Sequence, residues 1–431
     1  MKIKMIAVVA VLALGLLVTG VVFSQYMAAE KEYSANLANA RRNAEKQIPY
    51  NAYNYYLAAF QTHCEDESVF KEFLEQARLL GESFYHSAIE QYVKHFPNSP
   101  EANELLCGMY YERGSYSLVL NAALESRERG AATEQIKNWY NECAYMLKTI
   151  SGGYEEAQSF LGDVARVKIN GNYGFLQQNG SSLLPCIYPG ASAMMGSNAA
   201  VDDGEEWHII NRGGYKVART SEPVDYMGIL VGGKIPIAKD GKYAYTNAGL
   251  MVPEELPYDY ASNYKNGVAA VKKGDKWALV DINENLLTDF IFDDVILDEY
   301  QTCHSAGVIF VKKDGKYFMA NSQGMKISDN AFDDAKLFVS NEPTAVCVGG
   351  KWGFVDTAGN WVIEPQYENA TAYCIGLAGV CMEGKWGYIS SSGKCMIEPQ
   401  FEDCLPFTTS GITAVCENGI WKYVQLLSYY K

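Results

Sequence analysis

The feature that most constrains this chain is a self-similarity in its second half. Gly350–Asn369 reads GKWGFVDTAGNWVIEPQYEN, and from Gly384 the chain reads GKWGYISSSGKCMIEPQFED. With Trp352 as the anchor, equivalent aromatic positions are Tyr173, Trp207, Tyr243, Trp277, Tyr317, Trp352, Trp386 and Trp421. Their intervals are 34, 36, 34, 40, 35, 34 and 35 residues. A period of this size marks an array of supersecondary units, none of which can bury its own apolar face alone.

The unit has a readable anatomy. Six residues before the anchors stand Val167, Val201, Ile237, Val271, Val311, Val346, Val380 and Val415, all β-branched and suited to a buried strand. Two residues before stand Gly171, Gly241, Gly315, Gly350, Gly384 and Gly419, with Glu205 and Asp275 as exceptions. That glycine predicts a tight hairpin turn with positive φ. Two residues after stand Phe175, Ile209, Tyr245, Leu279, Met319, Phe354, Tyr388 and Tyr423, which share one strand face with the anchor.

A second glycine turn follows at Gly180, Gly324, Gly359 and Gly393. Next come a third strand and an aromatic-acidic corner: Tyr258-Asp259, Phe292-Asp293, Phe332-Asp333, Tyr367-Glu368 and Phe401-Glu402. A buried Trp or Tyr removes about 150–250 Å² from water, roughly 4–6 kcal/mol gross, so the eight anchors read as structural. The corners supply one or two carboxylates per unit, thinner than a calcium loop, and read as solvated turns. Cys347, Cys381 and Cys416 share one repeat position, five before the anchor, which reads as facing solvent or a neighbouring unit. Free thiols are expected there.

These residues resemble the WG-repeat family, a β-repeat found in many bacterial proteins. The resemblance spans Val167 to Val424 and is sharpest around Trp352 and Trp386. The glycine after the anchor is kept as Gly174, Gly353 and Gly387 but has become His208, Ala244, Ala278, Phe318 or Lys422 in the other units, which speaks against a strictly repeated ligand site. A propeller-like ring is the preferred architecture and an open β-solenoid the alternative. Seven complete units plus a truncated eighth, Ile412 to Val424, would let the terminal hairpin pair with the first unit and close the ring.

Ahead of the repeats, residues 25–163 read as helical, rich in alanine, glutamate, lysine and leucine with prolines only at breaks. Ser99–Gly130 holds two amphipathic runs broken at Gly114 and Ser115. Leu106, Tyr110, Tyr116, Val119 and Ala123 fall on their facing seam. Tyr110, Tyr111, Gly114 and Tyr116 resemble a tetratricopeptide unit, with Ser87–Ala102 as the end of the preceding one. A weaker copy carries Trp139 and GGYEEA at 152–157. Cys107 stands where a small residue belongs at the helix crossing. The resemblance implies a groove for peptides or helices.

At the amino terminus, Lys2 and Lys4 precede Met5–Phe23, nineteen residues without a charge. Such a run is long enough for a transmembrane helix, the alternative being a cleaved signal peptide. The domain plan is therefore residues 1–24 as tail and anchor, 25–163 as helical region and 164–431 as β-repeat domain. The bulk of the chain is expected outside the cytoplasm, as a single-pass cell-membrane protein.

A net charge of -15 argues against nucleic acid. Five histidines and eleven cysteines, none in a C-x-x-C pair, give no metal or cofactor motif. No catalytic motif is present. His63, His86 and His95 fall in helical sequence, and the adjacent pairs His63-Cys64 and Cys303-His304 are the only Cys/His neighbours. The expected function is a non-enzymatic interaction scaffold for a protein or peptide. A cell-envelope polysaccharide binder is the alternative, and a thiol enzyme built on Cys303 and His304 the third reading.

Overall fold

The computed structural model describes residues 2–62, 66–247 and 249–429, with side chains from Val22 onward. It divides into two compact units, Met1–Ala144 and Tyr145–Lys431. His63 and Cys64 lie outside the described residues.

Among the described residues, seven helices make the first unit: α1 (Lys2–Glu45), α2 (Pro49–Thr62), α3 (Ser68–Leu80), α4 (Glu82–His95), α5 (Pro100–Glu112), α6 (Tyr116–Glu128) and α7 (Glu134–Ala144). Their core is aromatic. Phe60 and Phe70 stack at 3.9 Å, Phe70 and Tyr92 at 5.2 Å, and Tyr53, Tyr56 and Phe73 complete the cluster. Polar tips of these rings find partners: Tyr56 donates to Glu72, which Arg41 of α1 also grips through two nitrogens at 2.8 and 2.7 Å. The start of α5 follows from SPEA. Pro100 pre-sets the first turn and Ser99 Oγ accepts from the Ala102 N–H. Gly114, with φ 67°, ends the α5 hairpin where the sequence breaks.

The expected transmembrane helix is not upheld. Among the described residues no helix is long and apolar enough to cross a membrane. Met5–Phe23 belongs to α1, which runs on through Glu30, Lys31, Glu32, Arg41 and Arg42 and buries Ala40 in the helical core. The side chains of that apolar run up to residue 21 lie outside the described set.

The second unit is a β-propeller of eight blades. Blade 1 is β2 (Glu156–Ala157), β3 (Val164–Ile169), β4 (Asn172–Gln177) and β5 (Ser182–Tyr188), hydrogen-bonded in chain order. Blades 2, 6 and 7 also carry four strands, and blades 3, 4 and 5 carry three. The eighth has three strands of its own, Asp403–Cys404, Ile412–Glu417 and Ile420–Leu426, and borrows its fourth. That fourth strand is β1 (Leu147–Tyr154), antiparallel to Ile420–Leu426, with Leu147 opposite Leu426 and Tyr154 opposite Trp421. A strand from before blade 1 thus completes the last blade, and the edges of an open sheet disappear.

The ring is closed, so the open solenoid is excluded, but the lock differs from the expected one. The terminal hairpin pairs with β1 rather than with the first unit. Residues 147–157, expected as the tail of the helical region, hold β1 and β2, and the GGYEEA stretch is propeller rather than a further helical copy. The expected boundary at 163/164 accordingly falls at Ala144/Tyr145 in the structure. Helix α7 keeps Trp139.

Candidate functional site

The repeated residues of the propeller have structural tasks. Trp277, Tyr317, Trp352 and Trp386 are buried, while Tyr173, Trp207, Tyr243 and Trp421 are half-buried. Every anchor sits in a row of cross-strand neighbours. In blade 1 the row is Glu156, Lys168, Tyr173 and Tyr188; in blade 5 it is Asp294, Lys312, Tyr317 and Phe332. Such rows are the stabilising element of a sheet. Lys168 lies 2.6 Å from Glu156 and over the Tyr173 ring, and Tyr317 donates to Asp294 at 2.5 Å. From blade 2 to blade 4, Trp207, Tyr226, Tyr243, Tyr260 and Trp277 form a chain of rings 5.1–6.1 Å apart. These rings pack on one another.

The acidic corners hold the hairpin turns of their own blades. Glu155 accepts from Asn170 N–H and Gly171 N–H, Asp259 from Gly274 N–H, Asp333 from Gly349 N–H, Glu368 from Glu383 and Gly384 N–H, and Glu402 from Gly419 N–H. Those turns use the left-handed region; Asn418 and Gly419, for instance, have φ of 53° and 72°. The hydrogen bond from Lys242 holds the Asp259 carboxyl below its usual range, and the Gly384 N–H does the same for Glu368. The sequence reading missed Tyr154-Glu155 as a corner. The signal was there: Glu155 precedes Val167 by twelve residues, as Asp259 precedes Val271.

The glycine after the anchor marks a close approach. A Cβ on Gly353 would lie 2.6 Å from Ile363 O, on Gly387 2.7 Å from Pro399 N, and on Gly174 2.7 Å from Cys186 N. In these three blades the fourth strand bulges against the anchor strand. Blades 3, 4 and 5 lack that regular strand, and Ala244, Ala278 and Phe318 stand there instead. In blade 8 the requirement has moved across the ladder: Gly152 of β1 sits opposite Lys422 and would meet its Cβ at 3.0 Å.

The long interval before Tyr317 holds a strap. Residues 297–302 of blade 5 reach blade 1 on the far side of the ring, where Gln158 Nε2 donates to Glu299 O, Ser159 N–H to Glu299 Oε2, and Tyr300 Oη to Ser159 O. Surrounding protein raises the Glu299 carboxyl, against the bond from Ser159. Next to the strap, Cys303 is fully buried and its thiol is pushed up to about 12, so it is protonated at neutral pH. His304 is buried too, its Nδ1 against Asn266 and its Nε2 against Ser322.

Among the described residues the ten cysteines are free. Cys347, Cys381 and Cys416 are buried rather than facing solvent, because their strand position lies within the cross-strand row. Burial pushes their thiols up. No cluster of three or more His, Cys, Asp or Glu side chains arranged to hold a metal occurs among the described residues.

The helical unit offers something different. A groove of about 660 Å³ is bounded by Glu82, Tyr85, His86 and Ile89 of α4, by Glu101, Glu104, Leu105, Gly108, Met109 and Glu112 of α5, and by Trp139 of α7. The α5 residues lie at i, i+3, i+4, i+7, i+8 and i+11, one face of a helix, and the α4 residues repeat the first half of that spacing. Gly108 gives Trp139 its seat, since a Cβ there would stand 3.0 Å from the indole. Tyr111 stacks on Trp139 at 5.8 Å and donates to Glu142 at 2.5 Å, fixing the ring. Of the expected seam residues, Val119 and Ala123 are buried, and Leu106, Tyr110 and Tyr116 are half-buried. His86 lines the groove, whereas His95 is turned inward, its ring nitrogens against Gln91 O and Phe60 O.

The family comparison agrees with the blade anatomy. Residues 149–173, 257–277, 352–386 and 386–421 match the model of the WG containing repeat. Those four segments are similar to the WG containing repeat. The first match begins in β1, the strand that locks the ring. No curated protein matches the chain. Among solved structures it is similar to a eukaryotic initiation factor, at 12% identity over 58% of this chain and 77% of that one, with a TM-score of 0.40. It is also similar to dihydro-heme d1 dehydrogenase NirN, at 9% identity over 70% and 82%, TM-score 0.41. A third is the AfRom2 CNH domain, at 8% over 65% and 99%, TM-score 0.33. Likenesses this distant carry nothing about activity.

Proposed function

We propose that the protein is a non-enzymatic interaction scaffold that captures a peptide segment of a partner protein in the groove of its helical unit. The observation that carries this reading is the groove itself: an apolar floor of Ile89, Leu105, Met109 and Trp139 with polar side chains along its rim. Peptide sites in helical repeats have this composition, apolar anchors giving affinity and rim groups giving register. The propeller suits the same role, since its repeated residues are engaged by the fold and leave a rigid carrier.

The test is selection of peptides from a displayed random library on the full chain, followed by binding to Leu105→Arg. Selected peptides are expected to lose about tenfold or more in affinity on that variant, as for loss of an interface anchor, with its melting temperature unchanged. Binders that are indifferent to Leu105→Arg, or none at all, would overturn the reading.

A further inference from the structure

The rim of the groove says what kind of segment fits. We infer that its occupant is a lysine- or arginine-bearing stretch of a partner protein, an inference that rests on the groove being the peptide site. Four carboxylates surround the apolar floor: Glu82 on α4, and Glu101, Glu104 and Glu112 on α5. Among the described residues, Glu101 is the one of these carboxylates in an ion pair, with Lys71 at 2.7 Å. Among the described residues, no lysine or arginine makes an ion pair with Glu82, Glu104 or Glu112.

Three like charges around one apolar trough repel one another, and a cationic partner removes that repulsion on binding. Glu101 to Glu112 spans eleven residues, about 16 Å of helix. A partner segment with basic residues at similar helical spacing can meet the stripe along its length while an apolar side chain seats on the floor. Trp139 adds to the preference. It lines the groove, held by Gly108 and stacked on Tyr111, and an indole attracts a guanidinium or ammonium group. An acidic or neutral apolar peptide could fill the same volume, but it would leave the three rim carboxylates unanswered. The chain's net charge of -15 adds long-range attraction for a basic partner, falling with salt.

The same selection reads this out separately from the groove reading. Peptides that depend on Leu105 are expected to be enriched in Lys and Arg over the library, and to bind about tenfold more weakly when salt is raised across the Debye range. The decisive variant is Glu82→Lys/Glu104→Lys/Glu112→Lys in the full chain, checked for an unchanged melting temperature. It is expected to reject the basic peptides and to select acidic ones. Should the triple variant fold poorly, the corresponding Gln substitutions are expected to lower affinity for the basic peptides without reversing the preference. Leu105-dependent binders with no basic enrichment, or with affinity unmoved by the triple variant, would overturn the inference while leaving the groove reading intact. A dimer in sedimentation that Leu105→Arg dissociates would make a second copy the occupant, and would also overturn it.

Discussion

The two halves of the molecule treat their side chains differently. In the propeller, the residues that recur are engaged by other residues of the fold: anchors in cross-strand rows, corner carboxylates on hairpin turns, glycines beneath a bulging strand. In the helical unit, the stripe on α5 is echoed only by the shorter one on α4, and among the described residues Glu82, Glu104 and Glu112 make no ion pair with a lysine or arginine. Repetition in the propeller reports architecture, whereas the α5 stripe is where the proposed peptide would bind. The same contrast holds between blades. In blades 1, 6 and 7, where the fourth strand bulges, the anchor is followed by glycine, while blade 2 carries His208 beside a bulging fourth strand; where that strand is absent, alanine or phenylalanine serves.

Breaking the architectural half should have the largest effect. Gly387→Val puts a side chain onto the backbone of the fourth strand and is expected to cost about 3 kcal/mol or more, read as a loss of soluble chain or a drop in melting temperature. Tyr154→Ala, which removes the buried β1 ring packed on Tyr423 at 5.8 Å, is expected to cost about 3–5 kcal/mol and to loosen the ring at its lock. Hydrogen exchange would then rise in Ile420–Leu426 before other blades. The reverse change in a blade without the bulge, Ala278→Gly, is expected to cost only about 1 kcal/mol, measured by chemical denaturation. If Gly387→Val and Ala278→Gly prove equally mild, the glycine is not a packing requirement.

The corner carboxylates sharpen the comparison through pH. Asp259, Asp333 and Glu368 are held below their ordinary range by lysine and turn N–H donors. A carboxyl lowered in the folded state contributes stability that is full above its unfolded pKa, near 4, and lost as pH falls through the folded value. The propeller should therefore weaken below about pH 4, and Glu368→Gln should flatten that acid limb in a melting-temperature profile. The smallest effect is local to the helical half. Ser99→Ala removes the cap of α5 and is expected to cost about 1 kcal/mol, with a modest loss of peptide affinity because α5 carries the rim.

Much of the propeller was legible because its rules are short-range. A β-branched residue, a glycine turn and an aromatic at fixed offsets describe a hairpin wherever they occur. The lock was not legible, because β1 and Ile420–Leu426 meet only when the ring closes, and LKTISGGY carries no strand alternation to separate it from the helical text before it. Glu155 could have been found by its spacing, but it followed a helical stretch and was read with it. The transmembrane reading is not upheld, because among the described residues no helix is long and apolar enough to cross a membrane. On the groove, sequence placed the α5 hairpin and the seam, but not the convergence of α4, α5 and α7 around Trp139. That depends on Gly108 admitting the indole, and a lone helical glycine signals no such thing in sequence.

The most direct test is hydrogen exchange by mass spectrometry on the full chain, with and without a selected basic peptide. Protection confined to residues 82–112 and 134–144, with the eight blades unchanged, is the predicted result. Protection in the blades, with those helices unchanged, would contradict the division of labour between a structural propeller and a binding helical groove.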